Sequence, residues 1–336
     1  MLKSTVKRVI EYIAAYTGKH RRVLDKPELL VLGYHRVLPK EHPDYMQMQP
    51  GMLVQPETFR MHIQILKKYF EIVDLNEWVN KCKSNQQLPM KAAAITFDDG
   101  WIDNYEYAFP ILKLEKTPAT IFLVSSMIDT SKQYWPERIG AIIDNLKNNT
   151  QDIMPEYIKW FEEFGINVNK LNQLDETSYE KLINNIKKYP DKYILDSLNV
   201  FNNLEENIRG DSSSNLSYKQ LVEMKESSLI SFGAHSRNHY RLNKMLLASD
   251  LEDEIIHCKK DLESRLDTSI TGFCYPNGDY DDISVNIVRQ TYDYACTIHK
   301  GWNKQSSDPY YINRILIHED VTYDRISFES TIAAIL

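Results

Sequence analysis

Short apolar runs alternate along the chain with stretches in which apolar residues recur every three or four positions. Leu29-Leu-Val-Leu-Gly-Tyr34 reads as a buried strand. Pro56 to Phe70 places Phe59, Ile63, Leu66 and Tyr69 on one helical face. Lys91–Phe97 predicts the next strand, Tyr105–Leu114 a helix broken at Pro110, and Ala119–Val124 a third strand. Further on, Ile230–Ala234, Ile270–Tyr275 and Tyr294–Ile298 read as strands, separated by helices across Leu246–Arg265 and Ile283–Gln290. Such alternation implies βαβ units on a parallel sheet, open or closed. The stretch 131–216 departs from it, being rich in Asn, Lys, Glu, Asp and Tyr, with helical periodicity and few β-branched runs. It predicts a helical insertion into an α/β domain, with Asp211–Asn215 as a loop or seam at its end. The domain spans 28–336 around that insertion, and 1–27 forms an N-terminal arm.

In that arm Leu2, Val6, Val9, Ile10 and Ile13 fall at helical spacing among Lys3, Lys7 and Arg8, and a basic loop follows through Lys19, Arg21 and Arg22. Either the helix packs on the domain, as most such helices do, or it lies on an anionic membrane surface. Glu11 interrupts any secretion-signal core, so the expected location is the cytoplasm, including the inner face of the membrane. With 40 basic and 47 acidic residues the net charge is −7, which argues against a general nucleic-acid binder. The four cysteines, Cys82, Cys258, Cys274 and Cys296, form no CxxC pair, and this favours a reducing compartment.

Two polar clusters close predicted strands. Thr96-Phe97-Asp98-Asp99-Gly100 follows an apolar run, and Gly100 permits the positive φ with which a turn can aim both acids at one pocket. The alternative is an ordinary loop with two turn-forming acids. His235-Ser-Arg-Asn-His239 follows Ile230–Ala234. Two histidines four apart can share a metal if the segment bends or coils, and one strand-end Asp would complete the three protein ligands typical of a catalytic zinc site. Either cluster alone is weak, but both at strand ends of one α/β domain is a more specific signal.

Together with Phe273-Cys-Tyr-Pro-Asn-Gly278, these residues resemble the motifs of the polysaccharide deacetylase family, the NodB-homology domains of carbohydrate esterase family four. The resemblance runs from about 28 to 320 outside the insertion. It implies a distorted (β/α) barrel of about seven strands, one divalent metal (zinc, with cobalt or nickel as alternatives), and hydrolysis of an N-acetyl group on an amino sugar. It further implies that Asp99, His235 and His239 bind the metal, that Asp98 is the general base toward water on the metal, and that the Asn277 backbone N–H steadies the oxyanion.

Two positions depart from the family pattern. Cys274 stands where many members carry the Arg that orients the catalytic Asp, and Arg314 is the candidate replacement. The early Tyr34-His35-Arg36 resembles circularly permuted members, such as deacetylases of biofilm poly-N-acetylglucosamine. This makes His35 the candidate general acid, with His318 as its rival. Trp101, Tyr275 and Pro276 are candidates for the sugar surface, and Tyr134-Trp135 for a cover over it; all of these could instead be core. The expected partner is an N-acetylated glycan, free, nucleotide-linked, lipid-linked or polymeric. The competing readings are a glycoside hydrolase, a non-catalytic carbohydrate-binding module and a structural metal protein. Adjacent Asp98 and Asp99 suit the first poorly, because its two carboxyls must flank a bond about 5–9.5 Å apart.

Overall fold

Among the described residues eleven strands form, in chain order β1 Glu28–Tyr34, β2 Arg36–Val37, β3 Leu53–Val54, β4 Glu71–Ile72, β5 Lys91–Phe97, β6 Ala119–Leu123, β7 Ile230–Ala234, β8 Gly272–Cys274, β9 Tyr294–Cys296, β10 Trp302–Lys304 and β11 Ile315–Leu316. The computed structural model describes residues 2–47, 51–148, 153–167, 171, 176–208, 214–244 and 247–333. The main sheet runs β10-β1-β5-β6-β7-β8-β9. Its neighbours are parallel except for β10, which lies antiparallel to β1. Its far edge is brought back to β1: Ile312 bridges Cys296 of β9, and β11 pairs with Leu32 and Gly33. The sheet therefore curls into a barrel-like ring, the seven-stranded distorted barrel that the motifs imply.

Both faces of the sheet are buried, so the strands read as continuous apolar runs. Alternate residues part company across the sheet. Leu30, Leu32, Ile95 and Phe97 join Phe59, Ile63 and Leu66 of helix Pro56–Tyr69 in one large cluster. Leu29, Val31, Ala92, Ala94, Phe122, Cys274, Tyr294 and Cys296 form a second cluster with Leu75, Trp78 and Val79. Residues of β1, β5, β6, β8 and β9 meet in so small a group because it fills the space the curled sheet encloses.

Pro110 does not break its helix. A wide turn at Asn104–Ala108 leads into Phe109–Leu114, with Phe109 N–H bonded to Asn104 O and Pro110 in the first turn of the segment. A proline there lacks only an N–H that the turn leaves unpartnered. The helix expected across Leu246–Arg265 runs as Ala248–Glu252, Asp253–His257 and Cys258–Leu266; Leu246 itself lies outside the described residues.

The insertion has its own core. Ile139, Ile142 and Ile143 of helix Trp135–Asn148 meet Trp160, Phe161, Leu182, Leu198 and Phe201. Its exit is stitched to the strand-end acids: Ile102 N–H donates to Ser214 O at 2.8 Å and Leu216 N–H to Gly100 O at 3.0 Å. Of the expected seam, Asp211–Ser213 lies outside the described residues. The N-terminal helix Leu2–Thr17 packs Ala14 and Ala15 toward the C-terminal helix Arg325–Ile332, and Arg8 pairs with Asp324 at 2.6 Å. Val6, Val9, Ile10, Tyr12, Ile13 and Tyr16 remain exposed on it. Among the described residues no helix is long and apolar enough to cross a membrane.

Close strand packing at β8 depends on Gly272, where an added Cβ would meet the Tyr294 ring at 2.3 Å. Tyr294 is fully buried and cannot swing aside. Gly272→Ala is expected to lose about 1–3 kcal/mol of stability, read as a lower urea midpoint with an unchanged slope.

Candidate active site

The strand ends of β5 and β7 and the turn after β8 converge on a cavity of about 420 Å³, lined by His35, Asp98, Asp99, Trp101, His235, His239, Tyr275 and Asn277 among others. Backbone conformation aims the polar groups. Asp99 sits at φ 74° and Gly100 at φ 81°, so the chain reverses directly after Asp98. Asp tolerates this left-handed region better than most residues. In the second cluster Ser236 at φ 61° and His239 at φ 62° fold the segment into a loop instead of a helical turn. Buried Glu254 secures that loop by accepting from the Asn238 backbone N–H at 2.8 Å and its Nδ2 at 2.6 Å.

Asp99 Oδ1 lies 3.5 Å from His235 Nε2 and 3.4 Å from His239 Nε2. His235 Nδ1 bonds the Cys274 carbonyl at 2.8 Å, which turns the Nε2 lone pair toward Asp99. Burial pushes both histidines down to about 4, against raising contributions from nearby acids, so both are neutral donors at pH 7. Asp99 Oδ2 accepts from Trp101 Nε1 at 2.9 Å, whereas Oδ1 is buried without a hydrogen-bond partner. An orphaned carboxylate oxygen facing two imidazole nitrogens fits a cation. A second trio, Asp98, His235 and Cys274, also clusters. It fits a cation less well, because Asp98 is already occupied and burial raises the Cys274 thiol well above its ordinary value.

Asp98 is held by Arg314, whose Nη1 donates to Oδ1 at 2.7 Å and Nη2 to Oδ2 at 2.8 Å. Arg314 is fully buried, also donating to the Thr297 carbonyl at 3.0 Å and to Cys274 Sγ at 3.0 Å. The guanidinium thus reaches Asp98 beside Cys274 from the strand segment that closes the ring. His35 Nε2 lies 3.9 Å from Asp98 Oδ2, and its Nδ1 is buried without a partner. The rival His318 bonds Asp320 at 3.2 Å and lines an adjoining groove beside the N-terminal helix, which shares Gly51 and Leu316 with this cavity.

The remaining candidates are divided. Asn277, at φ 54°, and Tyr275 line the cavity, but Pro276 is buried and does not. It starts the tight turn in which Gly278 N–H bonds Tyr275 O. Trp101 is only 2% exposed, with its N–H committed to Asp99 and the Arg36 guanidinium 4.4 Å over its ring. It braces the Asp99 carboxylate and also lines the cavity. Tyr134 donates to the Asp99 carbonyl at 2.9 Å. Residue patterns did not mark the Arg36–Asp103 ion pair at 2.7 Å or Glu137, a cavity-lining acid from the insertion. Asp103 reads as one more turn acid, and Glu137 stands in no motif.

Comparison with known proteins places this geometry. The sequence profile of the polysaccharide deacetylases matches residues 85–294. The poly-β-1,6-N-acetyl-D-glucosamine N-deacetylase of Staphylococcus epidermidis is 30% identical over 132 residues, which cover 36% of this chain and 45% of that protein. The match therefore spans less than half of that relative's length. Among solved structures, the Streptococcus pyogenes deacetylase PplD, in complex with acetate, superposes with a TM-score of 0.57 at 19% identity, covering 88% of this chain and 95% of that one. IcaB from Ammonifex degensii superposes at 0.58 and 18% identity, covering 92% of this chain and 100% of that one. These two share the fold. The profile match spans well over half of the chain and takes in both acids, both histidines and the Tyr-Pro turn, and on that match the chain belongs to the polysaccharide deacetylase family.

Proposed function

We propose that this protein is a metal-dependent N-deacetylase that releases acetate from N-acetylglucosamine units of a glycan. The orphaned Asp99 Oδ1 between two neutral imidazoles, beside an Arg-locked acid, carries the reading. The substrate class is supported by the Staphylococcus epidermidis relative, whose name states it. Asp99, His235 and His239 would hold one divalent cation, with zinc first and cobalt or nickel as alternatives. Such a cation polarises the amide carbonyl and lowers the pKa of water from 15.7 to about 7.

The chain's own groups do the proton work. Asp98 accepts the proton of the attacking water. Burial alone would raise its pKa, but the charge and paired hydrogen bonds of Arg314 outweigh burial and hold it well below the usual carboxylate range. Asp98 is therefore always ionised at neutral pH, though weakly basic, and this demands an acidified water. His35, its Nε2 3.9 Å from Asp98 Oδ2, is the proposed donor to the departing amine nitrogen, without which the C–N bond cannot break. The Asn277 N–H is the proposed donor to the oxyanion; one such donor typically contributes about 3 kcal/mol.

The exposed apolar stripe of the N-terminal helix, with Lys7 beside it, supports seating on an anionic membrane surface. Parent protein is expected to sediment with vesicles containing phosphatidylglycerol, and Val9→Glu with Ile13→Glu to remain in the supernatant. Equal sedimentation of the two would exclude the helix as the contact.

Elemental analysis should find near one ion per chain after zinc loading, lost in His235→Ala with His239→Ala. Asp98→Asn should keep the ion but release acetate from N-acetylglucosamine oligomers at least 10²-fold more slowly. Parent-like turnover in that variant would refute the base assignment.

Removing Arg314 strands a buried carboxylate. Arg314→Met is expected to lose about 3–5 kcal/mol at pH 7. In the parent, the depressed pKa of Asp98 contributes stability above the unfolded value near 3.9 that fades as pH falls through the folded one. In the variant, burial raises that pKa, so acid relieves the penalty. The gap between the two urea midpoints should narrow from pH 7 toward pH 4.

A further inference from the structure

The cavity has a second polar wall that the reaction does not use, supplied largely by the insertion. Trp135, Pro136 and Glu137 open helix Trp135–Asn148 into it, and Lys187, Arg241 and Asp279 complete the wall. Arg241 spends its donors inside the protein, on Asp191 at 3.0 Å and on the carbonyls of Lys187 and Tyr189 at 2.5 and 2.7 Å. The Tyr134 hydroxyl is committed to Asp99 O, and Trp101 N–H to Asp99 Oδ2. Glu137 Oε2 is buried and has no hydrogen-bond partner. A buried acceptor left unsatisfied is costly, and the Arg241, Tyr134 and Trp101 donors are engaged elsewhere. An occupant of the cavity, which Glu137 lines, can supply that partner.

The surrounding charges narrow what that partner is. The charge of Asp99 raises the Glu137 carboxyl, and those of Arg36 and Lys187 lower it. Burial, with Asp99 adding to it, pushes the Glu137 carboxyl up to about 7. A cationic ligand would meet Lys187 and Arg241, and an anionic one would meet Asp99 and Asp279. A neutral hydroxyl suits the wall best, since it can donate to the ionised carboxylate or accept from the protonated one.

We propose that Glu137 is a specificity-determining residue: its Oε2 takes a hydrogen bond from a ring hydroxyl of the acetamido sugar seated with its amide at Asp98 and Asp99. This rests on the deacetylase reading and adds to it that the helical insertion is part of the sugar site.

The test is direct binding of an N-acetylglucosamine tetramer to the full chain by calorimetry, without added metal, alongside kcat/KM for acetate release with zinc. Glu137→Ala should weaken binding roughly tenfold or more and lower kcat/KM mainly through KM. Glu137→Gln keeps an acceptor oxygen and should recover binding to within about threefold of the parent. Among 3-deoxy, 4-deoxy and 6-deoxy monomers, one should lose about tenfold against the parent and nothing against Glu137→Ala. Parent-like binding by Glu137→Ala, or equal losses for every analogue in both proteins, would overturn the proposal. If Glu137→Ala fails to fold, the deoxy series on the parent decides, and no analogue losing affinity overturns it. A parent that binds the tetramer through Glu137 but releases no acetate refutes the deacetylase reading and leaves this subsite standing. A parent that neither binds nor hydrolyses refutes both.

Discussion

The pairing of Arg314 with Asp98 is the interaction on which this site depends. Two full charges lie wholly inside the protein, and each would be intolerable there alone. Their paired hydrogen bonds, together with the Thr297 carbonyl and Cys274 sulfur around the guanidinium, make the arrangement affordable. The pair also divides the labour between two adjacent acids. Asp98 is saturated by its cation and kept ionised, while Asp99 keeps one oxygen bare. Neighbours in sequence thus acquire opposite chemistry from their surroundings alone.

That division is made by the backbone before any side chain acts. A regular strand would send the two acids to opposite faces. The left-handed conformation at Asp99 and Gly100 abandons the strand at the point where both can face one cavity. The same device recurs at Ser236 and His239 and at Asn277 and Gly278. Asp99, Ser236, His239 and Asn277 bring left-handed backbone to the mouth of the barrel, and the regular strands beneath them carry the rigidity that holds such strain in place.

Much of the fold is legible in the residues. Lys91–Phe97 is a strand over the very span its apolar run marks, and helix Pro56–Tyr69 shows its buried face in its spacing. The strands at Trp302–Lys304 and Ile315–Leu316 are not, because two or three residues cannot display a period. Asp98, Asp99, His235 and His239 are legible because they cluster in sequence. Arg314 is legible only as the answer to a gap: Cys274 stands where a cation is needed, and nothing local shows that residue 314 reaches it. Glu137 carries no sequence signal, since a helix-opening glutamate after Trp-Pro is ordinary and only the folded insertion turns it inward. Pro276, a candidate for the sugar surface, is buried in a tight turn outside the cavity lining, while Tyr275 and Asn277 beside it line the cavity.

The two ends of the central ion pair lie 216 positions apart in the chain. At ribosomal speeds of about 5–20 residues per second, roughly 11–43 s separate the emergence of Asp98 from that of its partner. During that interval most of the barrel can assemble, but the strand-end acid cannot be buried ionised. It must stay hydrated or carry a proton, and the ring must stay open where Ile312–Leu316 will enter. The segment Ile312–Leu316 therefore closes the sheet and brings the counter-charge of Asp98 with it. A nascent chain paused before residue 314 would hold an accessible, water-filled barrel mouth, a state that a quality-control protease or chaperone could distinguish from the finished protein.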